Sequence, residues 1–497
     1  MLSKVYEKSF ALTGFKKFDI GKFESNLNRK KESYWKNSGQ KNALNLFKQA
    51  AAKVPAYRDF LKKNRFDPSK VKTINDFAQL PETNKDNYIA NYPLSMKCWK
   101  ADLNASKWMA SSSGTTGNPN YWPRQEAQEF EAAMVHEILL RRYFEIQNNT
   151  TLAIVGFPMG VYVSGMATSL PLFLLSHKYR LTILTAGNNK LEVLKAVKNL
   201  NKNFQQILLV GHPFFIKDIL ETGTAEGINW SKNKIGMMFC SEGFTEDWRS
   251  YILKTAGMNN EARAYSTYGS SEMLLMAYET PQSIRIRKFL EKNRSLSEAI
   301  LGSSQVPNLF QYNPALRYIE QSNQELIFTV NAGLPLIRFN LHDRGKILPY
   351  ESIHNLIDKA SWGDSDWKLP FLALEGRSDY TIIFYAANIY PQHIHAALSH
   401  KDLLKKITGK FSMRKGYRKN MDEYLEINIE LRQKISMSQK FAKQLQKIIF
   451  KKLKLINSEF LDASGRFGTK TLPLVKLWRY QHEKYFKLGL KPKYIQE

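Results

Sequence analysis

Short apolar runs alternate with helix-length segments through the middle of this chain. The separating segments include Lys190 to Asn203. The runs between Trp108 and Gly211 are TLAIVGF, YRLTILTAG and FQQILLVGH. Apolar runs of strand length that alternate with helices are typical of a sheet covered by helices on both faces. The same alternation continues through IGMMFCSEG and ELIFTVNAGLPLIRFNLHD. The pattern therefore predicts a large α/β domain.

The composition changes after LEGRSDYTIIF, where the chain becomes rich in lysine. This last part predicts a compact α+β unit. Its expected elements are a helix over Pro391 to His400, the alternating strand YLEINIEL and a basic amphipathic helix over Ser436 to Leu453. We expect the boundary near Arg377, which gives an N-terminal domain over residues 1–376 and a C-terminal domain over 377–497.

Length and cysteine usage limit the class of protein. A chain of 497 residues is long enough for two or three domains. Cys98 and Cys240 have no spacing typical of a zinc or redox motif, so a reducing cytoplasm is the default location. The N-terminus shows no secretory signal pattern. The most apolar stretch, Thr151 to Ile183, is interrupted by Pro158, Pro171 and several glycines, so no membrane span is predicted.

The formal net charge is +28, which is unusually high. Such a charge fits nucleic acid, an anionic membrane surface or an acidic protein as partner. Lysine that is spread over a solvated surface by compositional bias would give the same value. The densest basic runs are Lys401 to Lys419 and Lys440 to Lys454. The sequence leaves these alternatives open, although no nucleic acid is expected.

The segment Met109 to Asn120, MASSSGTTGNPN, is built from small and hydroxylated residues. Such residues let backbone N–H groups surround an anion, while Thr115 and Thr116 add hydroxyl donors. The Gly-Lys-Ser/Thr ending of the P-loop is missing. The segment therefore predicts a phosphate cradle, with a flexible Ser/Gly linker as the alternative.

Five segments in order resemble the adenylate-forming superfamily, and in particular its phenylacetate-CoA ligase branch. SSSGTTGNP resembles the phosphate signature, YGSSE the adenine and magnesium motif, and LIRFNLHDRG the ribose motif. LEGRSDYTIIFYAANIYPQHI is similar to the hinge motif, and CSEGFTEDWR to the adenine-edge turn of phenylacetate-CoA ligases. The segment from Tyr57 to Leu94, which contains PETNKDNY, resembles their lead-in. The resemblance runs from about Pro55 to Ile495 and implies that the C-terminal domain is mobile.

The resemblance implies a role for each motif in a reaction between ATP and a carboxylic acid. Thr115, Glu272 and Lys491 are expected to be catalytic, and Glu272 is also expected to hold Mg²⁺ in a solvent-accessible cleft. The residues expected to bind the nucleotide are Ser112, Ser113, Gly114, Thr116, Gly117, Ser241, Glu242, Gly243, Tyr268, Gly269, Ser270, Asp343 and Arg377. His342 is given no catalytic role.

Several positions depart from the family pattern. Asn120 replaces the usual basic residue of the phosphate signature, which leaves Arg124 as a substitute. Ala386 or Ala387 stands where a glycine is usual. Two further lysines compete with Lys491 for the role of the mobile C-terminal lysine, namely Lys470 and Lys493. The stretch Thr280 to Gln321 has no cysteine cluster, so no structural zinc is expected.

An acyl pocket is suggested by GFPMGVYVSGM, residues Gly156 to Met166, together with Ala186, Gly187 and Tyr265. Core packing is the alternative for the same residues.

The resemblance implies an AMP-forming ligase that makes an acyl-adenylate and passes the acyl group to coenzyme A, a carrier-protein thiol or an amine. The cofactors are ATP and Mg²⁺, with coenzyme A as one of the acceptors left open. The expected partners are a small carboxylic acid and, as an alternative to coenzyme A, an acidic carrier protein. A dimer is one of the oligomeric states left open. The competing hypotheses are an adenylate-forming amide ligase and a catalytically silent nucleotide- or nucleic-acid-binding relative.

Overall fold

A computed structural model describes residues 19–112, 120–160, 162–302, 306–357, 366–377, 381–483 and 485–486. Within these residues the chain forms two compact units, one over 19–112 and 120–376 and the other from Arg377 onward. Each unit is described by itself. Among the described residues, every helix falls short of the length and apolarity that crossing a bilayer requires.

The first helices of the first unit form the lead-in, and the later helices alternate with strands. They are α1 (Gly21–Arg29), α2 (Glu32–Lys53), α3 (Pro55–Lys63), α4 (Ile74–Phe77), α5 (Glu126–Phe144), α6 (Val163–Ser176), α7 (Lys190–Leu200), α8 (Pro213–Ala225), α9 (Glu246–Thr255), α10 (Pro281–Lys292), α11 (Arg294–Leu301) and α12 (Tyr350–His354). Single helical turns lie at Pro68–Lys70, Lys85–Ile89, Ser95–Lys97, Trp99–Ala101, Asn201–Asn203, Trp230–Lys232 and Glu261–Arg263.

The strands of the first unit form a hairpin and one large sheet. They are β1 (Trp108–Ser112), β2 (Asn120–Arg124), β3 (Thr151–Val155), β4 (Leu181–Leu184), β5 (Gln206–Gly211), β6 (Lys234–Cys240), β7 (Ala264–Ser270), β8 (Leu274–Tyr278), β9 (Asn308–Gln311), β10 (Tyr318–Ser322), β11 (Glu325–Ala332), β12 (Leu334–Leu348) and β13 (Phe371–Arg377). The sheet has the order β10-β11-β12-β13-β9-β8-β7-β6-β5-β3-β4, and β1 pairs with β2 separately.

The sheet is parallel from β4 to β7 and becomes antiparallel at β8. Pairs β4–β3, β3–β5, β5–β6 and β6–β7 are parallel, whereas β7–β8 and β8–β9 are antiparallel. Strands β3 and β5 are buried along their whole length. Parallel strands covered by helices on both faces read as continuous apolar runs rather than alternating ones, which explains TLAIV and QILLVG. The predicted α/β class is confirmed.

The lead-in is held against the sheet through strand β12. The backbone N–H of Thr83 donates to the Arg338 carbonyl at 3.0 Å, and the N–H of Asn340 donates to the Thr83 carbonyl at 2.7 Å. The Thr83 hydroxyl also donates to the Ile337 carbonyl at 2.9 Å. These bonds fix the residues that follow Thr83 relative to the sheet, because extended backbone paired with a strand has a defined register.

The second unit is a small α+β structure. Its strands are β14 (Ile382–Phe384), β15 (Ala387–Ile389), β16 (Ile407–Tyr417), β17 (Glu423–Leu431) and β18 (Leu474–Trp478). Its helices are α13 (Pro391–Leu398), α14 (Lys401–Leu404), α15 (Gln439–Ile456) and α16 (Ser458–Phe467), with a single turn at Gly468–Thr471. β17 is the central strand of a three-stranded sheet, antiparallel to β16 and parallel to β18.

The polar residues of β17 are buried, although they alternate with apolar residues along the strand. Glu423, Glu426 and Glu430 are all at most 3% exposed. Glu423 pairs with Lys415 at 2.7 Å and Glu426 with Lys476 at 2.6 Å. Glu423 and Glu426 are three residues apart and so lie on opposite faces of β17, and each of them pairs with a lysine on a neighbouring strand.

The turn between β14 and β15 contains Ala386, one of the two alanines considered at the position where the resembled family usually has glycine. Tyr385 and Ala386 have φ values of 47° and 66°. Two-residue hairpin turns with positive φ at both positions favour glycine or asparagine. Ala386 therefore occupies a conformation that glycine adopts without steric cost, and the strain is on the order of 1 kcal/mol.

A buried ion-pair network holds α9 to the sheet and generates the first prediction. Arg249 donates to Glu246 at 2.8 Å and to Glu279 at 2.6 Å, and all three side chains are at most 3% exposed. Arg249→Met leaves both carboxylates without this partner, and losing one member of a buried pair costs about 3–5 kcal/mol in the free energy of unfolding. Chemical denaturation measures this loss.

Arg344→Met is the matched control for Arg249→Met. Arg344 is 45% exposed and 3.8 Å from Glu375, so its loss should cost no more than about 1 kcal/mol. Equal effects of the two substitutions would contradict the assignment of a stabilising role to the Arg249 network.

Candidate active site

The predicted phosphate loop begins and ends on the β1–β2 hairpin. Ser112 is the last residue of β1 and pairs with Asn120, the first residue of β2. The Ser112 hydroxyl accepts a hydrogen bond from Trp122 Nε1 at 3.0 Å. The predicted loop residues Ser113, Gly114, Thr115, Thr116 and Gly117 lie outside the described residues, as does Lys491.

Arg124 has a structural role in place of the phosphate contact considered from the sequence. Its guanidinium is fully buried and donates to the carbonyl of Ala332 at 2.8 Å and to the carbonyl of Ser271. Burial lowers the pKa of Arg124 to about 10. These contacts tie β2 to the residue that precedes Glu272, so Arg124 positions the candidate metal ligand.

Glu272 is buried rather than exposed in an open cleft. Its side chain is 4% exposed, and its Oε1 lies 2.8 Å from Nζ of Lys85. Burial raises the pKa of Glu272, but the nearby Lys85 charge and the hydrogen bonds to the carboxylate outweigh it, so the pKa is lowered overall. The expectation of a solvent-accessible cleft around this carboxylate is therefore wrong, and the carboxylate stays ionised because a lysine faces it.

Lys85 is the residue of this site that the sequence did not reveal. It begins a single helical turn whose N-cap, Asn84, exchanges hydrogen bonds with Asn87 at 2.7 and 2.8 Å. Thr83 fixes the start of this turn on strand β12. The resemblance of PETNKDNY to the lead-in of the family was the only sequence signal for Lys85. The pairing of Lys85 with Glu272 could not be predicted, because it depends on the fold.

Tyr268 and Asp343 come together from distant strands. The Tyr268 hydroxyl donates to Oδ2 of Asp343, and both side chains are at most 8% exposed. Their strands, β7 and β12, are separated by three others in the sheet. Adjacent strands lie about 4.8 Å apart, so a flat sheet would separate these two by roughly 19 Å. The sheet must therefore curl, which brings the YGSSE and LIRFNLHDRG segments into contact.

The YGSSE segment turns sharply between β7 and β8. A Cβ on Gly269 would lie 2.6 Å from the carbonyl oxygen of Leu274, so only glycine fits at this irregular step of the ladder. The Ser270 hydroxyl accepts a hydrogen bond from the N–H of Met273 at 3.3 Å. These contacts set the direction in which Glu272 leaves the strand.

The predicted adenine-edge turn follows directly after β6. Ser241 has a φ of 77°, a backbone conformation that residues other than glycine rarely adopt. A Cβ on Gly243 would lie 2.0 Å from Nδ2 of Asn308, so the turn packs tightly against the start of β9. Glu242, between them, is 5% exposed. Strained backbone of this kind is often found at functional sites.

Two other predicted positions are less informative. Arg377 ends strand β13, and its side chain lies outside the described part of the chain. His342 has a φ of 64°, and its Nδ1 lies 3.3 Å from Oε1 of Glu325. His342 thus has a carboxylate partner on the neighbouring strand.

The residues proposed for an acyl pocket pack closely. A Cβ on Gly165 would lie 2.6 Å from the sulfur of Met159, and one on Gly187 would lie 3.3 Å from Met159 Cγ. Tyr265 is fully buried and stacks on Tyr143 with ring centroids 4.5 Å apart. Tyr265 therefore belongs to the core, whereas Met159 lies between two glycines at the carboxyl ends of the strands.

Known proteins resemble this chain in sequence and in structure. No family model matches the chain. Phenylacetate-coenzyme A ligase of Pseudomonas putida is 21% identical over 406 residues, which cover 78% of this chain and 79% of that protein.

Solved structures share the fold. A crystal structure of 2-hydroxyisobutyryl-CoA ligase in complex with 2-HIB-AMP and CoA, in its thioesterification state, matches with a TM-score of 0.59 at 16% identity. The match covers 94% of this chain and 89% of that one. An open conformation of the same ligase matches with a TM-score of 0.53 at 15% identity, over 94% and 91% of the two chains.

The Lys85–Glu272 pair generates the second prediction. In a double-mutant cycle with Lys85→Met and Glu272→Gln, we expect a coupling of about 1–3 kcal/mol in the free energy of unfolding, because the pair is buried on one side. The folded pKa of Glu272 is lower than its ordinary 4.5, so this stabilisation is complete above pH 4.5 and is lost as the pH falls through the folded value. Urea denaturation over this pH range measures both effects.

The exposed pair Lys195–Glu192 provides the control cycle. Its side chains are 66% and 52% exposed, so its coupling should be about 0.5 kcal/mol or less. Additive effects of Lys85→Met and Glu272→Gln would show that the two side chains do not stabilise each other.

Proposed function

We propose that this chain, a member of the adenylate-forming superfamily in its phenylacetate-CoA ligase-like branch, is an ATP-dependent, AMP-forming ligase that activates a carboxylic acid. The substrate carboxylate attacks the α-phosphate of ATP. The bond to the β-phosphate breaks, and acyl-adenylate and pyrophosphate are formed. The acyl group then passes to a thiol, and AMP leaves with the electron pair of the acyl–oxygen bond.

The observation that carries this proposal is the meeting of two motifs that lie far apart in the sequence. Tyr268 of YGSSE contacts Asp343 of LIRFNLHDRG, and Glu272 follows four residues after Tyr268. An aromatic face and a paired acceptor for ribose hydroxyls, beside an ionised carboxylate, form the set of groups that a nucleotide and its metal require. A silent relative would have no need to keep all three.

The described residues fit a magnesium ion that is shared with the nucleotide. Among them, no group of three or more His, Cys, Asp or Glu side chains could hold a metal by itself. Mg²⁺ is commonly bound by one or two carboxylates together with phosphate oxygens, and Glu272 offers one ionised carboxylate. When bound, the ion would neutralise charge on the phosphates.

The chain's own residues have separate tasks in this proposal. Backbone N–H groups of residues 113–117 hold the phosphates, with Thr115 donating through its hydroxyl. Asp343 accepts hydrogen bonds from the ribose, and Tyr268 and the turn of Ser241, Glu242 and Gly243 enclose the adenine. Fixed donors aimed at developing charge lower the barrier without reorganisation during the reaction.

We further propose that residues 1–376 form the ATP- and acyl-binding domain and 377–497 the mobile domain, with Arg377 at the pivot. The acceptor is a thiol, coenzyme A or that of an acidic carrier protein, and the reaction takes place in the cytoplasm. The name of the Pseudomonas putida relative supports coenzyme A. An amide-forming ligase would share the first half-reaction and differ only in the acceptor.

The third prediction tests the function directly. Purified protein should catalyse carboxylate-dependent exchange of labelled pyrophosphate into ATP with at least one aryl, fatty or amino acid. Glu272→Gln should reduce this exchange on the order of 10²–10³-fold, the usual loss when one group that stabilises the transition state is removed. Unfolding measurements on Glu272→Gln separate a loss of chemistry from a loss of fold. The absence of exchange with every acid would favour the silent relative.

The fourth prediction concerns the mobile lysine. Lys470 lies in the turn before β18 and 3.4 Å from Asp422, so it already has a carboxylate partner, whereas Lys491 follows that strand in the sequence. We expect Lys491→Ala to reduce pyrophosphate exchange far more than ATP binding, since a mobile point charge acts mainly in the transition state. Lys470→Ala is the matched control. Normal exchange by Lys491→Ala and lost exchange by Lys470→Ala would reverse the assignment.

A further inference from the structure

The positive charge of this chain is concentrated at its C-terminal end. Residues 377–497 contain 25 lysines and arginines against 10 aspartates and glutamates. This quarter of the chain therefore contributes +15 of the net +28. Uniform compositional bias would give it about a quarter of the total, so the charge is locally enriched.

Helix α15 presents part of this charge as one stripe. Its five exposed lysines are Lys440, Lys443, Lys447, Lys451 and Lys454. At about 100° per residue they fall within an arc of about 80°. The buried side chains of the helix are Phe441, Leu445, Ile449 and Leu453, whose arc is centred about 180° away. The helix has no acidic residue.

These lysines have no carboxylate partners in the described part of the chain. Among the described ion pairs, lysines elsewhere in the second unit do have them, as Lys405 does with Asp402 at 2.8 Å. A like-charged row without counter-ions repels itself, which is a cost to the folded protein. Lys401 to Lys406, also a dense basic run, differs because Asp402 lies within it.

Exposed apolar side chains lie close to the stripe in the sequence, at both ends of α15 and in α16. Leu455 is 76% exposed and lies one turn after Lys451, and Leu461 of α16 is 50% exposed. Met437, just before the helix, is 54% exposed. Large apolar side chains next to clustered lysines are the two components of peripheral membrane binding, namely attraction to anionic headgroups and shallow insertion between them.

We propose that helix α15, through its lysine stripe and with the exposed Leu455 at its end and Leu461 on the next helix, docks this protein on an anionic lipid surface. A nucleic acid would provide phosphates for the stripe but no apolar phase for the leucines. An acidic protein would need both a complementary acidic row and an apolar patch. This inference goes beyond the proposed ligase activity and does not depend on it.

The experiment is co-sedimentation of the full chain with vesicles of phosphatidylcholine and phosphatidylglycerol at about two to one, and with phosphatidylcholine alone. We expect binding to the anionic vesicles only, and weaker binding as salt is raised. Each lysine near an anionic surface contributes about 1 kcal/mol, a factor of about five in partitioning. Substituting Lys440, Lys443, Lys447 and Lys451 by Gln should therefore reduce binding on the order of a hundred- to a thousand-fold.

Matched variants separate the stripe from net charge and from folding. Substituting Lys41, Lys48, Lys53 and Lys62 by Gln removes the same charge from exposed helical positions of the first unit, and it should leave binding within a few-fold of the wild type. Thermal unfolding confirms that both variants fold. An equal loss of binding in the two variants would overturn the assignment to α15, as would equal binding by the stripe variant and the wild type.

A further variant tests the choice of a lipid surface. Substituting Leu455 and Leu461 together by Ser should weaken binding to anionic vesicles and leave any binding to duplex DNA or polyglutamate unchanged. The proposal is wrong if the double substitution has no effect on vesicle binding. It is also wrong if DNA or polyglutamate competes the protein off vesicles at a lower concentration of negative charge than unlabelled anionic vesicles require. Either result would assign the stripe to a nucleic acid or an acidic protein.

Discussion

The carboxyl ends of five parallel strands meet at one edge of the large sheet, and the candidate site depends on this constraint. β3 and β5 are buried on both faces, so polar groups have no place along them and appear where strands end. Ser241 follows β6 and Ser270 ends β7. In open α/β sheets ligands bind outside the carboxyl ends of the strands for this reason. The curl of the sheet then brings Asp343, from an antiparallel strand, to the same place as Tyr268.

Local sequence was enough to predict the fold class and the superfamily, and it directed attention to Tyr268, Glu272 and Asp343, whose roles stay predictions. Those predictions rest on short segments whose composition is tied to backbone geometry, such as the glycine at position 269, where a side chain would collide with the backbone. The roles of Lys85 and Arg124 could not be read in this way. Their partners are Glu272 and the carbonyls of Ser271 and Ala332, and these contacts exist only once the lead-in and the hairpin pack on the sheet.

Strand β17 shows a second limit of sequence patterns. Its sequence alternates polar and apolar residues, but Glu423 and Glu426, on opposite faces of the strand, are both buried and paired with lysines from β16 and β18. Alternation of polar and apolar residues indicates that the two faces of a strand differ in chemistry. It does not indicate whether either face is exposed to solvent. The same holds for Glu272, whose place in a metal motif suggested an open cleft. In both cases a lysine side chain pairs with the buried carboxylate.

The pairing of Ser112 with Asn120 has a consequence for how variation in this protein should be interpreted. The hairpin register fixes the two ends of the segment 113–119, and the free energy of closing a loop changes by only about 0.6 kcal/mol when its length doubles. Inserted or exchanged residues there would thus hardly alter the amount of folded protein. If the segment holds phosphates, as proposed above, a mutational scan selected for abundance would score it as tolerant, and a scan selected for turnover would score it as intolerant. Positions whose tolerance differs between the two scans would be those that the protein needs for chemistry rather than for folding.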